Sequence, residues 1–331
     1  MLPETTAILL VNLGTPDGYD FFSVRKYLKQ FLSDKRIVEL NPILWLPILH
    51  GIILNTRPRT SGRNYKRIWH RQSNQSPLLL YTKAQTEKLS SKIATMPNLP
   101  VQNIKIYFAM RYGNPSIASM IQKLTQDGCK HILLLPLFPQ YSATTTASIY
   151  DDFFGSLLKL RNVPSVTTIR SFATNPSYIQ ALANSINTHL KHCAFEPELI
   201  IASFHGIPKS YVAKGDPYYE ECCATIKALR EHMRLSDTKL LLSFQSRFGK
   251  EEWLQPYTDK LTQRLAQQGI RKIAIFNPGF ISDCLETIDE IGREIKEVFI
   301  HNGGTDFTHI PCLNDSDEAI NMLSEIIQQS L

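Results

Sequence analysis

The sequence has no CxxC pair, no unbroken apolar run of the ~20 residues a spanning helix needs, no GxGxxG, no GxxxxGK followed by Ser or Thr, and no GxSxG. Each absence closes or weakens a class. The six cysteines (Cys129, Cys193, Cys222, Cys223, Cys284 and Cys312) are scattered, which argues against a zinc knuckle or thiol-redox motif and leaves reduced, mostly buried thiols. Asn12-Leu-Gly14-Thr-Pro16 has too few glycines, and a badly placed proline, to cradle a pyrophosphate. Without GxSxG a hydrolase reading is weakened. The longest apolar segment, Ile43 to Leu54, is broken by Pro47 and His50, so it can lie on a membrane but not cross it. No basic region precedes the apolar residues of MLPETTAILLVNLG, so they read as a first buried strand, and no export signal is expected. A net charge of +6 is too diffuse for a nucleic-acid stripe, and no nucleic-acid partner is expected; it suits an anionic small molecule or an acidic membrane surface.

What is present is an ordinary globular composition, 43% hydrophobic and 20% charged over 331 residues, long enough for two domains. AILLVNLGTP, IKIYFAMRYG and HILLLPLFPQYS each read as a buried parallel strand with functional residues at its C-terminal end, and ELIIASFHGIP, KLLLSFQSRFG and KIAIFNPGFISD repeat them in order. Gly14 and Pro16 match Gly206 and Pro208, Arg111-Tyr112-Gly113 matches Arg247-Phe248-Gly249, and Pro136 and Phe138 match Pro278 and Phe280. Shared α/β grammar is the alternative to true duplication. Gly14 to Arg111 spans 97 positions against 41 from Gly206 to Arg247, so the first copy holds 56 extra residues, the Ile43–Leu54 stretch among them.

Helical patterns cover Phe21–Leu32, Thr82–Ala94, Ser116–Gln126, Pro176–His192, Tyr218–His232, Trp253–Gln268 and Asp283–Phe299. The alternation predicts an α/β protein of two Rossmann-like lobes, each a parallel sheet flanked by helices and related by internal duplication. The first lobe is expected over 1–165, with an inserted apolar lip at about 35–90, and the second over 166–310; a C-terminal helix in 311–331 is expected to pack back on the first. Ligands of such sheets bind beyond the carboxyl ends of the strands, so the two sets of strand ends are expected to frame one cleft.

His205 ends the run LIIASF and precedes Gly206-Ile-Pro208, which puts an imidazole at a strand terminus, where it serves as base or metal ligand or else caps the strand. Glu286 starts a helix, with Glu290 and Glu294 following at i+4 and i+8 on one face. A row of like charges costs a few tenths of a kcal/mol per pair unless a cation or proton relay offsets it. Against that reading, Asp283-Cys-Leu-Glu286 also spells a capping box. Leu13, Arg111, Tyr112, Tyr141, Trp253 and Phe280 lie at strand ends or in the loops between, a set suited to a flat apolar ligand with charged handles, although such aromatics are more often core.

The segments LLVNLGTPD (9–17), YLKQFLSDKRIV (27–38), SPLLLYTKAQ (76–85), LPLFPQYSATTTAS (135–148), SFHGIP (203–208), LSFQSRFGKEEWLQPYTD (242–259) and PGFISDCLETIDEI (278–291) together resemble the ferrochelatase family, of proteobacterial type, in order over nearly the whole chain. The resemblance implies chelatase-like lobes and insertion of Fe2+ into protoporphyrin IX to give protoheme with release of two protons, the final step of heme synthesis. It implies His205 and Glu286 as the catalytic, iron-binding pair. Glu290, Glu294 and Asp283 fall on its proton or metal path, and Leu13, Arg57, Arg59, Arg111, Tyr112, Tyr141, Trp253 and Phe280 among its porphyrin contacts; the arginines suit propionates because guanidinium pairs bidentately with carboxylate.

Fe2+ enters as substrate, with no permanently bound cofactor expected. The chain to Leu331 lacks the cysteine-bearing extension of cluster-containing members, so no iron–sulfur cluster is expected. Pro42–Leu54 matches the family's apolar lip, and a peripheral contact with the inner membrane through residues 42–54 is expected of it; a cytoplasmic enzyme, monomer or weak dimer, is expected overall. Two departures stand out: Cys284 where many relatives have histidine, and Ser73-Asn-Gln75 in place of a glycine-rich turn. Insertion of another metal or use of another tetrapyrrole is the nearest alternative, and a carrier that binds tetrapyrrole without turnover is the alternative from a different class.

Overall fold

Each of the six apolar runs read as a strand is one in a parallel sheet of the computed structural model, which describes residues 5–97, 99, 101, 103–249 and 251–331. The first sheet holds β1 (Thr5–Gly14), β2 (Ile104–Tyr112), β3 (Cys129–Pro136) and β4 (Ser165–Thr168) in the order β2-β1-β3-β4. The second holds β5 (Leu199–His205), β6 (Leu240–Gln245), β7 (Lys272–Phe276) and β8 (Asp306–His309) in the order β6-β5-β7-β8. Helices cover both faces of such sheets, so the central strands β1 and β5 are apolar at nearly every position rather than alternating.

The two sheets repeat one strand order, which supports the duplication read from the strand-end motifs. A finer correspondence lies at the ends of the central strands. A Cβ on Gly14, whose φ is +111°, would stand 1.7 Å from the carbonyl oxygen of Tyr112 on β2, and a Cβ on Gly206 would stand 2.9 Å from that of Gln245 on β6. In each copy the chain turns off the sheet against the neighbouring strand, where a side chain has no room. The short edge strands β4 (SVTT) and β8 (DFTH) were not expected, because four polar or mixed residues carry no apolar run.

The chain divides after Arg170 into two units: one runs to Leu137 and takes in Ser142–Arg170 and Leu323–Leu331, and the other comprises Phe138–Tyr141 and Ser171–Met322. Helix Phe21–Leu32 has the bounds expected, with Asp20 accepting from the N–H groups of Phe22 and Ser23 at its N-cap. The helix expected from Thr82 begins at Pro77, since Ser76 caps it and proline suits its first position. The one expected from Trp253 begins at Thr258, because Trp253 is drawn into an antiparallel bridge with Pro208. Ser148–Leu157 and Leu54–Ile68 are additional helices, and Asp317–Gln328 is the helix expected near the C-terminus.

The inserted segment forms helix Pro42–Ile48, a π-helical turn Leu49–Ile53, and helix Leu54–Ile68. Ile43, Leu44 and Ile52 are 80%, 69% and 61% exposed, an apolar group turned to solvent. Trp45 does not belong to it: it is 8% exposed, and its indole N–H donates to the carbonyl of Leu32 at 2.7 Å. Among the described residues no helix is long and apolar enough to cross a membrane.

Candidate active site

The carboxyl edge of the second sheet gathers polar side chains behind an apolar interior. Along β5, Ile201, Ala202 and Phe204 are buried, and Ser203 and His205 share a face by strand alternation. Nδ1 of His205 lies 2.7 Å from the carbonyl oxygen of Gly206. A carbonyl only accepts, so Nδ1 carries the proton and Nε2 of the neutral ring keeps its lone pair for a metal ion or a proton. The indole of Trp253 lies beside the imidazole, ring centroids 6.4 Å apart at 56°. The capping alternative is realised at Nδ1, which caps the strand end.

The glutamates stand on a π-helix, Glu286–Ile295, a geometry frequent at functional sites. Its apolar side, Ile291 and Ile295, packs into the core formed by Ile201, Ile273, Ile275, Leu261 and Phe299, which fixes the helix against β5 and β7. Glu290 is half-buried, and its carboxylate accepts from the hydroxyl of Ser246 and from Nε2 of Gln245 at 3.1 Å. Burial raises its pKa and the nearby Glu286 charge adds to that; the Ser246 and Gln245 hydrogen bonds and His205 oppose it without cancelling it. His205 pairs with Gln245 across β5 and β6, and Nε2 of Gln245 donates to the main-chain carbonyl of Glu286 at 2.9 Å as well as to Glu290, which brings the three residues to one strand edge.

The i+8 member departs from the expected row. Glu294 is exposed and paired with Arg293 at 2.6 Å, whereas Glu290 is half-buried. Asp283 departs differently. It is buried, and its oxygens accept from the Thr287 hydroxyl at 2.7 Å, from Nδ2 of Asn314 at 2.7 Å and from the N–H of Cys312 at 3.4 Å. These bonds commit the carboxylate to holding the loop before the helix. The capping box is not formed, since the N–H of Asp283 goes to Oδ1 of Asn314 instead.

The other expected residues divide by unit. In the second, the N–H of Tyr141 donates to Glu221 at 2.8 Å, and half-buried Phe280 follows β7, its N–H bonded to the Asn277 carbonyl. In the first, half-buried Leu13 stands near the end of β1, and Arg57 and Arg59 sit exposed on helix Leu54–Ile68. Tyr112 is corrected from ligand contact to core: it is 1% exposed, and its hydroxyl donates to Asp34 at 2.8 Å. The guanidinium of Arg111 is likewise engaged, with Asp34 at 2.5 Å and with the Ser148 hydroxyl and carbonyl at 2.7 and 2.8 Å.

Gln245, Ser246, Asn277 and His309 escaped the sequence reading. Gln245 ends β6, Asn277 follows β7, and His309 ends β8, so each continues an apolar or mixed strand just as His205 does. That position was the available signal. Among the described residues no three of His, Cys, Asp and Glu are grouped to hold a metal ion.

The sequence model of the Ferrochelatase family matches residues 5–331. The chain belongs to the ferrochelatase family. Its relatives include the ferrochelatases of Brucella ovis, Brucella suis and Brucella melitensis, each 52% identical over 330 residues, covering 100% of this chain and 92% of theirs. As a ferrochelatase the chain is a lyase-class metal chelatase of heme synthesis, inserting Fe2+ into protoporphyrin. Among solved structures, SirB from Bacillus subtilis with Fe3+ superposes with a TM-score of 0.58 at 12% identity, covering 98% of this chain and 95% of that one. CbiX, the terminal enzyme of siroheme biosynthesis in denitrifying bacteria, gives 0.52 at 12% identity, covering 98% and 99%. At such identities the likeness establishes the chelatase fold.

Cys284 lies two residues before Glu286. It is buried, and burial, then the neighbouring Glu286 carboxylate, push its thiol pKa well up, so it stays neutral beside Glu286.

Proposed function

We propose that metal insertion into protoporphyrin IX takes place at the carboxyl edge of the second sheet, with His205 and Glu286 as the reacting pair. Metallation exchanges two pyrrole N–H protons for one Fe2+, so the site needs a lone pair that meets the ion or accepts a proton, and an anion beside it. Nε2 of His205 supplies the first and the Glu286 carboxylate the second. The observation that carries this reading is the 2.7 Å bond from Nδ1 to the Gly206 carbonyl, which fixes the tautomer and leaves Nε2 available. Glu290, behind the pair, takes up or passes on a released proton. Trp253 gives the macrocycle an apolar wall beside the imidazole.

Iron is a substrate here, and the proposed enzyme works without a resident cofactor or iron–sulfur cluster. Leu13, Tyr141, Phe280, Arg57 and Arg59 are proposed porphyrin contacts, the arginines toward propionates. The exposed apolar residues of the lip suit a peripheral contact with the inner membrane from the cytoplasmic side. The test is spectroscopic: protoporphyrin and coproporphyrin are each offered with Fe2+ and Zn2+ to wild type, His205→Ala and Glu286→Gln. Loss of metallation with porphyrin binding intact is expected for both variants. Undiminished metallation in both variants would mean that the reaction does not depend on this pair.

A further inference from the structure

Behind Glu290 runs a line of side chains whose hydrogen bonds have one direction only. Nδ2 of Asn277 donates to the main-chain carbonyl of Ser203 at 2.9 Å, which cannot donate in return, so the orientation of that amide is fixed. The same Nδ2 donates to Oε1 of Gln245 at 2.8 Å. Nε2 of Gln245 in turn donates to the main-chain carbonyl of Glu286 at 2.9 Å, which fixes the second amide, and to Oε2 of Glu290 at 3.1 Å. With its nitrogen so engaged, Asn277 presents Oδ1 to Nε2 of His309 at 3.1 Å, and that ring nitrogen must therefore be the N–H. In the series His309, Asn277, Gln245 each residue donates to the next, and Gln245 donates to Glu290.

The topology explains why these residues meet. Gln245, Asn277 and His309 come from the ends of β6, β7 and β8, and the Asn277 amide crosses β5 at Ser203, on the face that carries His205. Oε2 of Glu290 accepts from both Gln245 and Ser246, so a proton on this carboxyl resides on Oε1. Were the amides reversed, Gln245 would present its carbonyl oxygen to the carboxylate, and Glu290 would turn away from the pair it serves.

We propose that Asn277 and His309 are positioning residues for metal insertion: through Gln245 they hold Oε2 of Glu290, so that Oε1 alone handles protons or metal next to His205 and Glu286. The inference rests on Glu290 acting in the reaction, as argued above.

Asn277→Asp is the direct test, because it preserves shape and removes the donor that meets Gln245 and Ser203. It should lower kcat for Zn2+ insertion by about tenfold with KM for porphyrin within about twofold, and in a Glu290→Gln background it should lower kcat no further, since residues acting through one another are not additive. His309→Gln, which keeps an N–H donor, should stay nearer wild type than His309→Leu, and this pair serves if Asn277→Asp fails to fold. An equal loss in both backgrounds, or none in either, overturns the positioning role while leaving Glu290 in place. If Glu290→Gln alone leaves kcat unchanged, the role of Glu290 fails and the inference with it.

Discussion

Gly206 leaves the space that Trp253 occupies: a Cβ at Gly206 would stand 3.2 Å from Cε3 of the indole and 2.9 Å from the Gln245 carbonyl oxygen. That carbonyl also accepts from the Gly206 N–H at 2.8 Å, so the backbone cannot retreat without breaking the bond that ends the strand. Gly206→Ala must then displace Trp253, the His205 ring, or both. The expected cost is about 1–3 kcal/mol of stability, typical of overpacking. Metallation should fall by about tenfold, given the penalty for a small misplacement at a reacting centre. Urea titration and a Zn2+ insertion assay measure the two, and a variant with wild-type values for both would show that the strand end is not tightly packed.

Arg111 and Asp34 form an ion pair in the first unit, at 2.5 Å, with Tyr112 and Ser148 also bonded to Asp34. Burial works to raise the pKa of Asp34, but hydrogen bonds from Ser148, the Arg36 N–H and Tyr112, with the charge of Arg111, outweigh it and hold the carboxyl below its ordinary 3.8. A depressed carboxyl contributes stability above its unfolded pKa and loses it as pH falls through the folded value. Arg111→Ala strands a buried carboxylate, so about 3–5 kcal/mol should be lost near neutrality. Its acid unfolding should also begin at higher pH than in wild type. If the loss is under about 1 kcal/mol, Asp34 is better solvated than its packing indicates.

The chemistry-bearing ends of the strands were legible in unequal measure. His205 could be read because a histidine stops an apolar run and Gly206-Ile-Pro208 turns the chain away. Gln245 and Asn277 end similar runs, yet an amide there looks like the start of a loop. Their meaning comes from the sheet order, which sets β6 and β7 on either side of β5, and spacing along the chain does not determine that. The glutamate row shows the same limit. Spacing put Glu286, Glu290 and Glu294 on one face, but only packing buries Glu290 and leaves Glu294 with Arg293. Polar edge strands such as β8 lack the apolar signal altogether, which is why His309 went unread.

The lip gives two separable outcomes. Ile43 and Leu44 point into solvent while Trp45 is held by Leu32. Ile43→Asp with Leu44→Asp should abolish co-sedimentation with vesicles carrying anionic lipid and leave thermal stability unchanged, because exposed side chains lose little on substitution. Trp45→Ala should do the reverse, lowering stability by about 3 kcal/mol or more, as for other buried aromatics. Equal vesicle binding by the double variant and wild type would remove the membrane from the reading of this segment.

Glu290 supplies a test in which the direction of the pH effect is decisive. Burial and the Glu286 charge raise its pKa above the ordinary 4.5 despite the bonds from Ser246 and Gln245. The folded protein therefore binds this proton more tightly than the unfolded chain. Its contribution is most favourable below 4.5 and declines as pH climbs from 4.5 through the folded value. Glu290→Gln keeps an oxygen for Ser246 and Gln245 but removes the titration, so its stability relative to wild type should improve with rising pH and then level off. Melting temperatures of both proteins across roughly pH 4 to 8 give that difference directly. A gap that widens toward acid instead would mean that Glu290 is held ionised in the folded state, its hydrogen bonds and His205 outweighing burial.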